Sequence, residues 1–503
     1  MENNKKVYKN FNINNHKQTK RKWKIKFKDK NKSILNKNKY KKDIKTLKKF
    51  KRNYSTRNNI KKQIIFYRYK LFFKLLIVLL FIFFPFYIKS KNINEYFSYN
   101  NTPQIKVAFF CSSIRYGGVE RVVSLLVNIL SKEKKFEIYL ITTKGKLDEE
   151  YPIPNNIKRI DLYDQRTNIY AVINQENIDV VVYNFYHVYE MARLNRLKKT
   201  KIIYINHSPI FNWIIITRTY NFKSTIYQAY KNCKYVVSLI PMENDYLFKK
   251  WGINSILMEN PNTFDYDSVI PSDLSSKNII MIGRAGDPTK RVDLGIKAMK
   301  NIIKEIPECR MNIISKTNNK MEKLIKKLNL ENYINITGFQ QNPEPYLKNA
   351  SLHIFPSVCE AFGMVLSEAK MFGIPTIICG LDYLYLAKGG TIIIYDDNPD
   401  TIAVEAIKIL KDDKYRRKLG KEARESMKIH KNEIIQKKWV KLIISVYNGI
   451  DGLSYTKLFR KYNKIVKEKE ANRILNNQLN LLKKRIPRFS NLTLEKLKNY
   501  SFV

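Results

Sequence analysis

Glu360 and Glu368 lie eight residues apart, and their two carboxylates could act together on a ligand. The stretch around them reads as a loop that runs into a helix, with Phe362 and Gly363 near the junction. Backbone N–H groups at the start of a helix bind phosphate, and a carboxylate further along can accept hydrogen bonds from ligand hydroxyls. This combination of two carboxylates and a helix start suggests a site for a nucleotide-activated sugar, whereas the spacing alone is more typical of solvated surface charges.

A basic loop supplies charges of the opposite sign. It follows a predicted strand at Gly283, precedes a predicted helix, and contains Arg284 and Lys290. Doubly wound folds bind ligands at the carboxyl edge of the sheet, where arginine offers a planar fork to phosphate oxygens and lysine a mobile point charge. We expect the two cations to converge on an anionic group; the alternative is that they are solvated loop residues.

These candidates belong to two successive runs of alternating strands and helices. In the first run the predicted strands are 105–111, 136–143, 180–183, 201–206 and 235–239. In the second run they are 278–283, 310–315, 334–338, 352–356 and 376–379. Strands that alternate with helices at this spacing indicate a parallel sheet covered on both faces. The predicted fold class is therefore α/β, with two doubly wound, Rossmann-like domains.

Taken together, the segments between residues 105 and 450 resemble glycosyltransferase family 4, a retaining family with the GT-B architecture, in which two domains face each other across a cleft. The most specific match is Glu360 and Glu368 within Pro-Ser-x-x-Glu-Ala-Phe-Gly-x-x-x-x-Glu-Ala-x-x-x-Gly-x-Pro. Further matches are Gly283-Arg284 with Lys290, Gly117-Gly118 followed by Glu120, Thr337-Gly-Phe339 and Asn342-Pro-Glu-Pro-Tyr346. Each is weak alone, and their order along two α/β halves makes the resemblance strong.

The resemblance implies catalytic roles for four residues. Arg284 and Lys290 would neutralise the donor's diphosphate as it leaves, which is electrostatic stabilisation of developing charge. Glu360 would contact hydroxyls of the donor sugar. His207 follows a predicted strand where the family often places a histidine that faces the sugar, although a lone histidine is also commonly structural. The family generally works without a metal, so we expect neither a metal nor another cofactor.

The resemblance also implies a donor-binding set, which comprises Glu368, Phe362, Gly363, Met364, Gly117 and Gly118. The glutamate would accept hydrogen bonds from the ribose hydroxyls, and the backbone N–H groups of residues 362–364 would help to bind phosphate. The paired glycines would let the first domain's backbone approach the donor or acceptor closely. Retention in this family is usually drawn as front-face attack, so that positioning across the cleft supplies much of the rate.

The ends of the chain carry much of its charge. The 503 residues have a net charge of +49, and residues 1–70 contain 26 Lys or Arg against 3 acids. This arm lacks apolar periodicity and is predicted to be disordered. Residues 71–88 then form an apolar run that would extend roughly 27 Å as a helix, which is long enough for a transmembrane anchor. The long segment before it disfavours a cleaved signal peptide.

The charge distribution also predicts topology and partners. The basic excess ahead of the anchor favours a cytosolic N-terminus and a single-pass type II protein of the endoplasmic reticulum or Golgi. A shallow anchor with a cytosol-facing catalytic part stays open, because the five cysteines form no disulfide pattern. We expect the arm to meet anionic lipid rather than nucleic acid, since it has no folded nucleic-acid motif.

The predicted organisation is a basic arm 1–70, an anchor 71–88, a linker 89–104, an acceptor domain 105–265, a donor domain 266–435, a cross-over helix 436–452 and a basic extension 453–503. The leading hypothesis is a membrane-anchored transferase that moves a sugar from a nucleoside diphosphate sugar to a glycan, lipid or protein acceptor. The alternative is a catalytically silent scaffold that binds a sugar nucleotide or a glycan.

Overall fold

A computed structural model describes residues 104–184, 188–209 and 255–450, residues 230–253 with gaps, and residue 480. The predicted basic arm and anchor lie outside the described residues, as do nearly all of the linker and the C-terminal extension. Among the residues that are described, no helix has the length and apolar character needed to cross a membrane.

A parallel sheet forms the first half of the molecule, which we define as residues 104–259. Its strands run in the order β3-β2-β1-β4-β5-β6-β7. They are β1 (Ile105–Cys111), β2 (Phe136–Thr142), β3 (Lys158–Asp161), β4 (Val180–Tyr183), β5 (Lys201–Asn206), β6 (Tyr235–Ser238) and β7 (Ser255–Leu257). The chain moves outward from β1 in one direction and returns at β4 to move in the other. Such a reversal opens a crevice at the carboxyl ends of the strands.

Helices cover this sheet: α1 (Gly118–Leu130), α2 (Ile169–Glu176) and α3 (Val188–Leu194). In α1 the apolar residues Val122, Val123, Leu126 and Leu130 recur at helical spacing and are buried. Burial of this stripe against the sheet fixes the helix, since packing of an apolar face supplies most helical stability. The beginning of α1 therefore points its free N–H groups at the carboxyl edge of β1.

The second half, residues 260–431, repeats the arrangement with strand order β10-β9-β8-β11-β12-β13. The strands are β8 (Asn278–Ile282), β9 (Arg310–Ile314), β10 (Ile334–Ile336), β11 (Leu352–Phe355), β12 (Thr376–Cys379) and β13 (Thr391–Ile394). The helices are α4 (Val292–Glu305), α5 (Asn319–Lys327), α6 (Glu344–Lys348), α7 (Met364–Met371), α8 (Pro399–Lys411) and α9 (Asp413–Ser426). Here the strand order reverses between β8 and β11.

A buried lysine anchors α7, the helix that carries Glu368. Lys370 is fully buried, and its Nζ donates to the carbonyl oxygens of Lys388 and Gly389 at 2.5 and 2.7 Å and to Ser426 Oγ at 3.3 Å. Three acceptors match the three N–H bonds of an ammonium group. The contact ties α7 to the loop before β13 and to the end of α9, which holds the helix in one position.

The last described helix, α10 (Asn432–Tyr447), returns to the first half, where it packs against α1, β4 and β5. Gln436 Nε2 donates to Glu133 at 2.8 Å, and Trp439 is only 1% exposed. Loss of a buried tryptophan side chain typically costs about 3–5 kcal/mol. The helix therefore joins the two halves.

The prediction of two parallel α/β halves is confirmed, and the predicted strands are observed with ends that differ by up to two residues. Three observed strands, β3, β7 and β13, had not been predicted. The first two are short strands at the edges of the sheet. In β3, Lys-Arg-Ile-Asp, charged side chains mask the apolar pattern of a strand, and β7 has only 3 residues. The third, Thr-Ile-Ile-Ile, is apolar and could have been found.

Candidate active site

A cleft of about 730 Å³ lies between the halves, at the carboxyl ends of both sheets. The first half lines it with the loop after β1, the beginning of α1 and the segment after β5, and the second half with the loops after β8, β9, β10 and β11. The predicted residues on its wall are Gly117, Gly118, His207, Arg284, Lys290, Glu360, Phe362, Gly363 and Met364. A cavity of this volume is within the usual range for small-molecule sites.

Lys290 and Glu360 meet on this wall. The lysine follows β8 and the glutamate follows β11, so the strand reversal brings their loops together, and Lys290 Nζ lies 2.5 Å from Glu360 Oε1. The Tyr383 hydroxyl fixes the Glu360 backbone, because it donates to the carbonyl oxygen at 2.9 Å and accepts from the N–H at 3.1 Å. Val358 N also donates to Thr289 O at 2.7 Å. The pair is therefore held by backbone contacts on both sides.

Arg284 lies at the rim of the same loop and is not drawn into this pair. Its side chain is 75% exposed and contacts Asp287 at 2.9 Å. Asp287 in turn accepts from Thr289 N and Oγ1, at 2.9 and 2.6 Å, which stiffens the loop. An exposed ion pair contributes only about 0–1 kcal/mol. The guanidinium can therefore exchange Asp287 for a ligand phosphate at little cost.

The turn between Glu360 and α7 depends on a glycine. Gly363 precedes the first residue of the helix and has φ +82°, a left-handed conformation that costs other residues a strain penalty. The preceding residue, Phe362, is buried, and its packing holds the turn in place. The start of α7, at Met364, is thereby presented to the cleft. Free N–H groups at such a start form an anion site.

Glu368 is the most deeply placed of the predicted residues. Its side chain is 0% exposed, and its Oε1 accepts from Arg121 Nη1 and from Thr263 Oγ1, each at 2.6 Å. Its other oxygen, Oε2, is buried and has no hydrogen-bond partner in the described structure. A buried carboxylate oxygen without a partner is costly and marks a place where a ligand donor would be favourable.

The two glycines of the first half differ in their surroundings. A Cβ added to Gly117 would overlap the Glu120 carboxylate, which folds back over the start of α1. A Cβ added to Gly118 would meet no atom within 4 Å among the residues that the structure describes. A side chain at Gly117 would therefore displace the flexible Glu120 carboxylate, whereas Gly118 keeps that part of the cleft wall free of a side chain.

His207 lies on the wall opposite Lys290 and is half-buried. Its Nε2 is 2.8 Å from Asn184 Oδ1, and Asn184 Nδ2 donates to Val182 O at 3.1 Å. Because the Asn184 amide nitrogen donates to a carbonyl oxygen, the Asn184 Oδ1 atom faces the imidazole ring. Oδ1 can only accept a hydrogen bond, so the His207 Nε2 atom carries the hydrogen. Burial lowers the pKa of His207 to about 3, so the ring is neutral at pH 7 and Nδ1 is an acceptor.

This environment predicts that His207 does not titrate in the physiological range. The folded pKa of about 3 lies below the unfolded value of 6.5, so the neutral form persists in the folded protein as the pH falls from 8 to 5. The unfolded chain binds the proton first, so the folded state loses stability progressively as the pH falls below about 6.5. We expect the imidazole C–H resonance of His207, assigned by its loss in His207→Gln, to keep its chemical shift from pH 8 to pH 5 in NMR spectra. A titration midpoint near 6.5 would contradict the neutral, Asn184-bound ring.

Comparison with known proteins adds the decisive observation. A family model described as Glycosyl transferases group 1 matches residues 264–426, which cover nearly all of the second half, including the Lys290–Glu360 pair and α7. A glycosyltransferase of Haemophilus influenzae, whose specific activity is uncharacterised, is 24% identical over 289 residues, 54% of this chain and 80% of the relative. The chain is a glycosyltransferase with the GT-B fold.

Two further similarities to this glycosyltransferase reach across both halves. The Campylobacter jejuni N-acetylgalactosamine-N,N'-diacetylbacillosaminyl-diphospho-undecaprenol 4-alpha-N-acetylgalactosaminyltransferase is 23% identical over 354 residues, 62% of this chain and 92% of the relative. The solved structure of Anabaena HepE in complex with UDP and glucose superposes with a TM-score of 0.54 at 13% identity, covering 68% of this chain and all of HepE. These similarities support the GT-B fold and the glycosyltransferase activity that the sequence predicted.

Several residues around the glycosyltransferase cleft had not been predicted. Arg121 and Thr263 both contact Glu368. Asn184 contacts His207, and Tyr383 contacts Glu360. None lies in a pattern that single-sequence reasoning can assign to a site, because each acts through a contact distant in sequence. The predicted residues that the fold brings into contact are Lys290 and Glu360. Arg284 and His207 line the same cleft on separate segments, whereas Glu368 is buried in α7 and is not part of the cleft lining.

Proposed function

We propose that this glycosyltransferase transfers a sugar, with retention of anomeric configuration and without a metal ion, from a nucleoside diphosphate sugar to an acceptor hydroxyl. The observation that carries the proposal is the Lys290–Glu360 pair, 2.5 Å apart on the wall of a cleft shared by two doubly wound halves. A cation and a carboxylate side by side suit a donor that has phosphates at one end and sugar hydroxyls at the other. This chemistry is that of glycosyltransferase family 4.

The leaving group would be stabilised by the two cations of the loop after β8. As the bond between the anomeric carbon and the diphosphate oxygen breaks, negative charge grows on that oxygen, and Lys290 and Arg284 would neutralise it. The acceptor oxygen bonds to the anomeric carbon on the same face, and its proton passes to the departing phosphate oxygen. The exposed Arg284 would turn from Asp287 towards the diphosphate when the donor binds.

Donor recognition would use the segment from Glu360 to Glu368. The backbone N–H groups at Phe362, Gly363 and Met364 would bind phosphate at the start of α7. Glu368 Oε2, which is buried without a partner, would accept a hydrogen bond from a ribose hydroxyl. Glu360 would accept hydrogen bonds from the transferred sugar while it remains beside Lys290.

The first half would bind the other side of the donor and the acceptor. Gly118 leaves open space on the cleft wall, so a sugar can approach the backbone there. Neutral His207 would present its Nδ1 as an acceptor for a hydroxyl of the donor or acceptor. Closure of the halves around both substrates would exclude water and limit hydrolysis of the donor.

We also propose that the apolar segment 71–88 anchors the enzyme in a membrane of the endoplasmic reticulum or Golgi. The basis is the sequence, with 26 basic residues ahead of an apolar run. A membrane-bound enzyme has ready access to lipid-linked acceptors, and the Campylobacter relative is named for a diphospho-undecaprenol-linked acceptor. Protease protection in sealed microsomes distinguishes a lumenal catalytic part from a cytosol-facing one.

The test is a panel of nucleotide sugars incubated with the purified full chain in the presence of EDTA. We expect one donor to be cleaved, with release of the nucleoside diphosphate, and NMR of the sugar product to show the donor's anomeric configuration. Inversion at the anomeric carbon, or activity that disappears with EDTA and returns with a divalent cation, would overturn the retaining, metal-free chemistry. Binding of a donor without turnover would favour the scaffold.

A further inference from the structure

An arginine of the first half reaches into the donor-binding segment of the second half. Arg121 lies in the first turns of α1, and its Nη1 donates to Glu368 Oε1 at 2.6 Å. Its Nη2 donates to the carbonyl oxygen of Gln341, in the loop after β10, at 2.7 Å. The guanidinium carbon also lies 5.0 Å from the centre of the Tyr151 ring. One side chain therefore joins α1 to two separate segments of the second half.

The contact is enclosed. The Arg121 side chain is 13% exposed and that of Glu368 is 0% exposed. Breaking a buried ion pair by removal of one partner is strongly unfavourable, because the remaining charge is left without compensation. A planar guanidinium that makes two bonds at once also fixes direction, which an ammonium group does not. Arg121 thus constrains the distance between the halves as well as the orientation of Glu368.

Three neighbouring contacts lie at the same end of the cleft. Gln341 Nε2 donates back to Glu150 O of the first half at 2.7 Å. The Tyr116 ring meets the Phe339 ring edge-on, with 4.8 Å between their centres, and Lys316 Nζ lies 4.3 Å from the centre of the Tyr116 ring. These contacts are neutral or partly exposed, so the buried Arg121–Glu368 pair is the one whose loss leaves an uncompensated charge.

We infer that Arg121 is a positioning residue that fastens the two halves at the nucleoside end of the cleft and fixes Glu368 for the donor. Arg121 and Thr263 occupy Oε1, so that Oε2 is the oxygen left to accept from a ribose hydroxyl. Donor affinity and closure of the cleft are then coupled through one guanidinium. This inference rests on the proposed role of Glu368, and nothing in the resemblance to family 4 had pointed to Arg121.

The experiment compares full-length wild type with Arg121→Met in two measurements. The first is the distance between spin labels on non-natural amino acids placed at Tyr163 and Val404, which are 77% and 62% exposed and lie in different halves. The second is the dissociation constant for UDP, measured by calorimetry. We expect longer and broader distances in the ligand-free variant, together with UDP binding that is about 10- to 100-fold weaker, the usual range for coupling between sites.

Matched variants separate positioning from simple loss of a contact. Thr263→Val removes the other donor to Glu368 Oε1 without crossing the cleft, so it should weaken UDP binding and leave the distances unchanged. Arg417→Met removes an exposed arginine whose ion pair with Asp413 stays within one half, so it should change neither measurement. If Arg121→Met does not fold, Arg121→Lys, which retains the charge but not the two-pronged geometry, should show both effects at a smaller size.

Three results would overturn the inference. Unchanged distances in Arg121→Met would show that Arg121 does not fasten the halves. Unchanged UDP affinity would show that it does not act on the donor through Glu368. Tighter UDP binding in Arg121→Met would show that Arg121 competes with the nucleotide for Glu368. If wild type binds no nucleoside diphosphate, the proposed function fails, and the label distances still test the fastening of the halves.

Discussion

Replacement of Lys290 by methionine is expected to lower the turnover number of the transferase by about 100- to 1,000-fold, the usual loss when one group that stabilises developing charge is removed. Methionine keeps the unbranched shape of the side chain but cannot neutralise the diphosphate. The loss should appear in kcat more than in KM, because the charge on the leaving oxygen grows only as the bond breaks. Initial rates at varied concentrations of the active donor measure both constants.

Lys297→Met is the matched control for this variant. Lys297 is an exposed lysine of the same half, and its ion pair with Asp293 joins adjacent turns of α4. Its removal should leave kcat within about twofold of wild type, because exposed pairs contribute little. Equal unfolding transitions of the two variants would show that the fold is intact. A Lys290→Met enzyme that turns over at the wild-type rate would remove Lys290 from the leaving-group site.

Replacement of Glu360 by glutamine is expected to lower kcat/KM by about 100-fold or more. Glutamine has the same shape, but it loses the charge that strengthens hydrogen bonds from sugar hydroxyls and the charge that holds Lys290 at 2.5 Å. Because Tyr383 bonds to the backbone of Glu360, the loop should keep its position in the variant. The measurement is the initial rate at donor concentrations well below KM.

The Glu360→Gln result also separates two roles for the carboxylate. If Glu360 only holds Lys290 in the absence of substrate, its neutralisation would release the lysine for the diphosphate and turnover would be unchanged or faster. If it contacts the transferred sugar, turnover falls even though Lys290 is released. Glu344→Gln, which alters a glutamate paired with Lys348 on α6, is the control and should match wild type. Unchanged or faster turnover in Glu360→Gln would contradict the sugar contact.

The architecture could be predicted from the sequence because most strands and helices have a recognisable pattern within their own residues. Strands such as β4 and β12 are continuous apolar runs that occur in buried parallel sheets. Helix α1 has its apolar residues at helical spacing, and the glycine pair before it marks its beginning. Lys290 and Glu360 were each predicted as site residues, but their direct contact was not. They meet because their loops follow adjacent strands on either side of the reversal in strand order.

What could not be predicted depends on the relation between distant segments. Arg121 and Glu368 are 247 residues apart, and their contact exists only because the halves face each other at one particular distance. His207 acquires its neutral state from burial and its tautomer from Asn184, which follows a different strand. Arg284 and Lys290 were expected to converge on an anionic group, which stays a prediction. The contact of Arg284 with Asp287, three residues further along the same loop, had not been predicted.

The measurement that tests the central claim most directly is calorimetric titration of the purified full chain with UDP, GDP and ADP, in wild type and in Glu368→Ala. We expect saturable binding of one of these nucleotides at a single site per chain, weakened at least 10-fold by the substitution, since a hydrogen bond to a charged group contributes about 1.5–3 kcal/mol. Wild type that binds none of the three, or a Glu368→Ala variant that binds as tightly as wild type, would contradict a nucleotide-sugar site in this cleft.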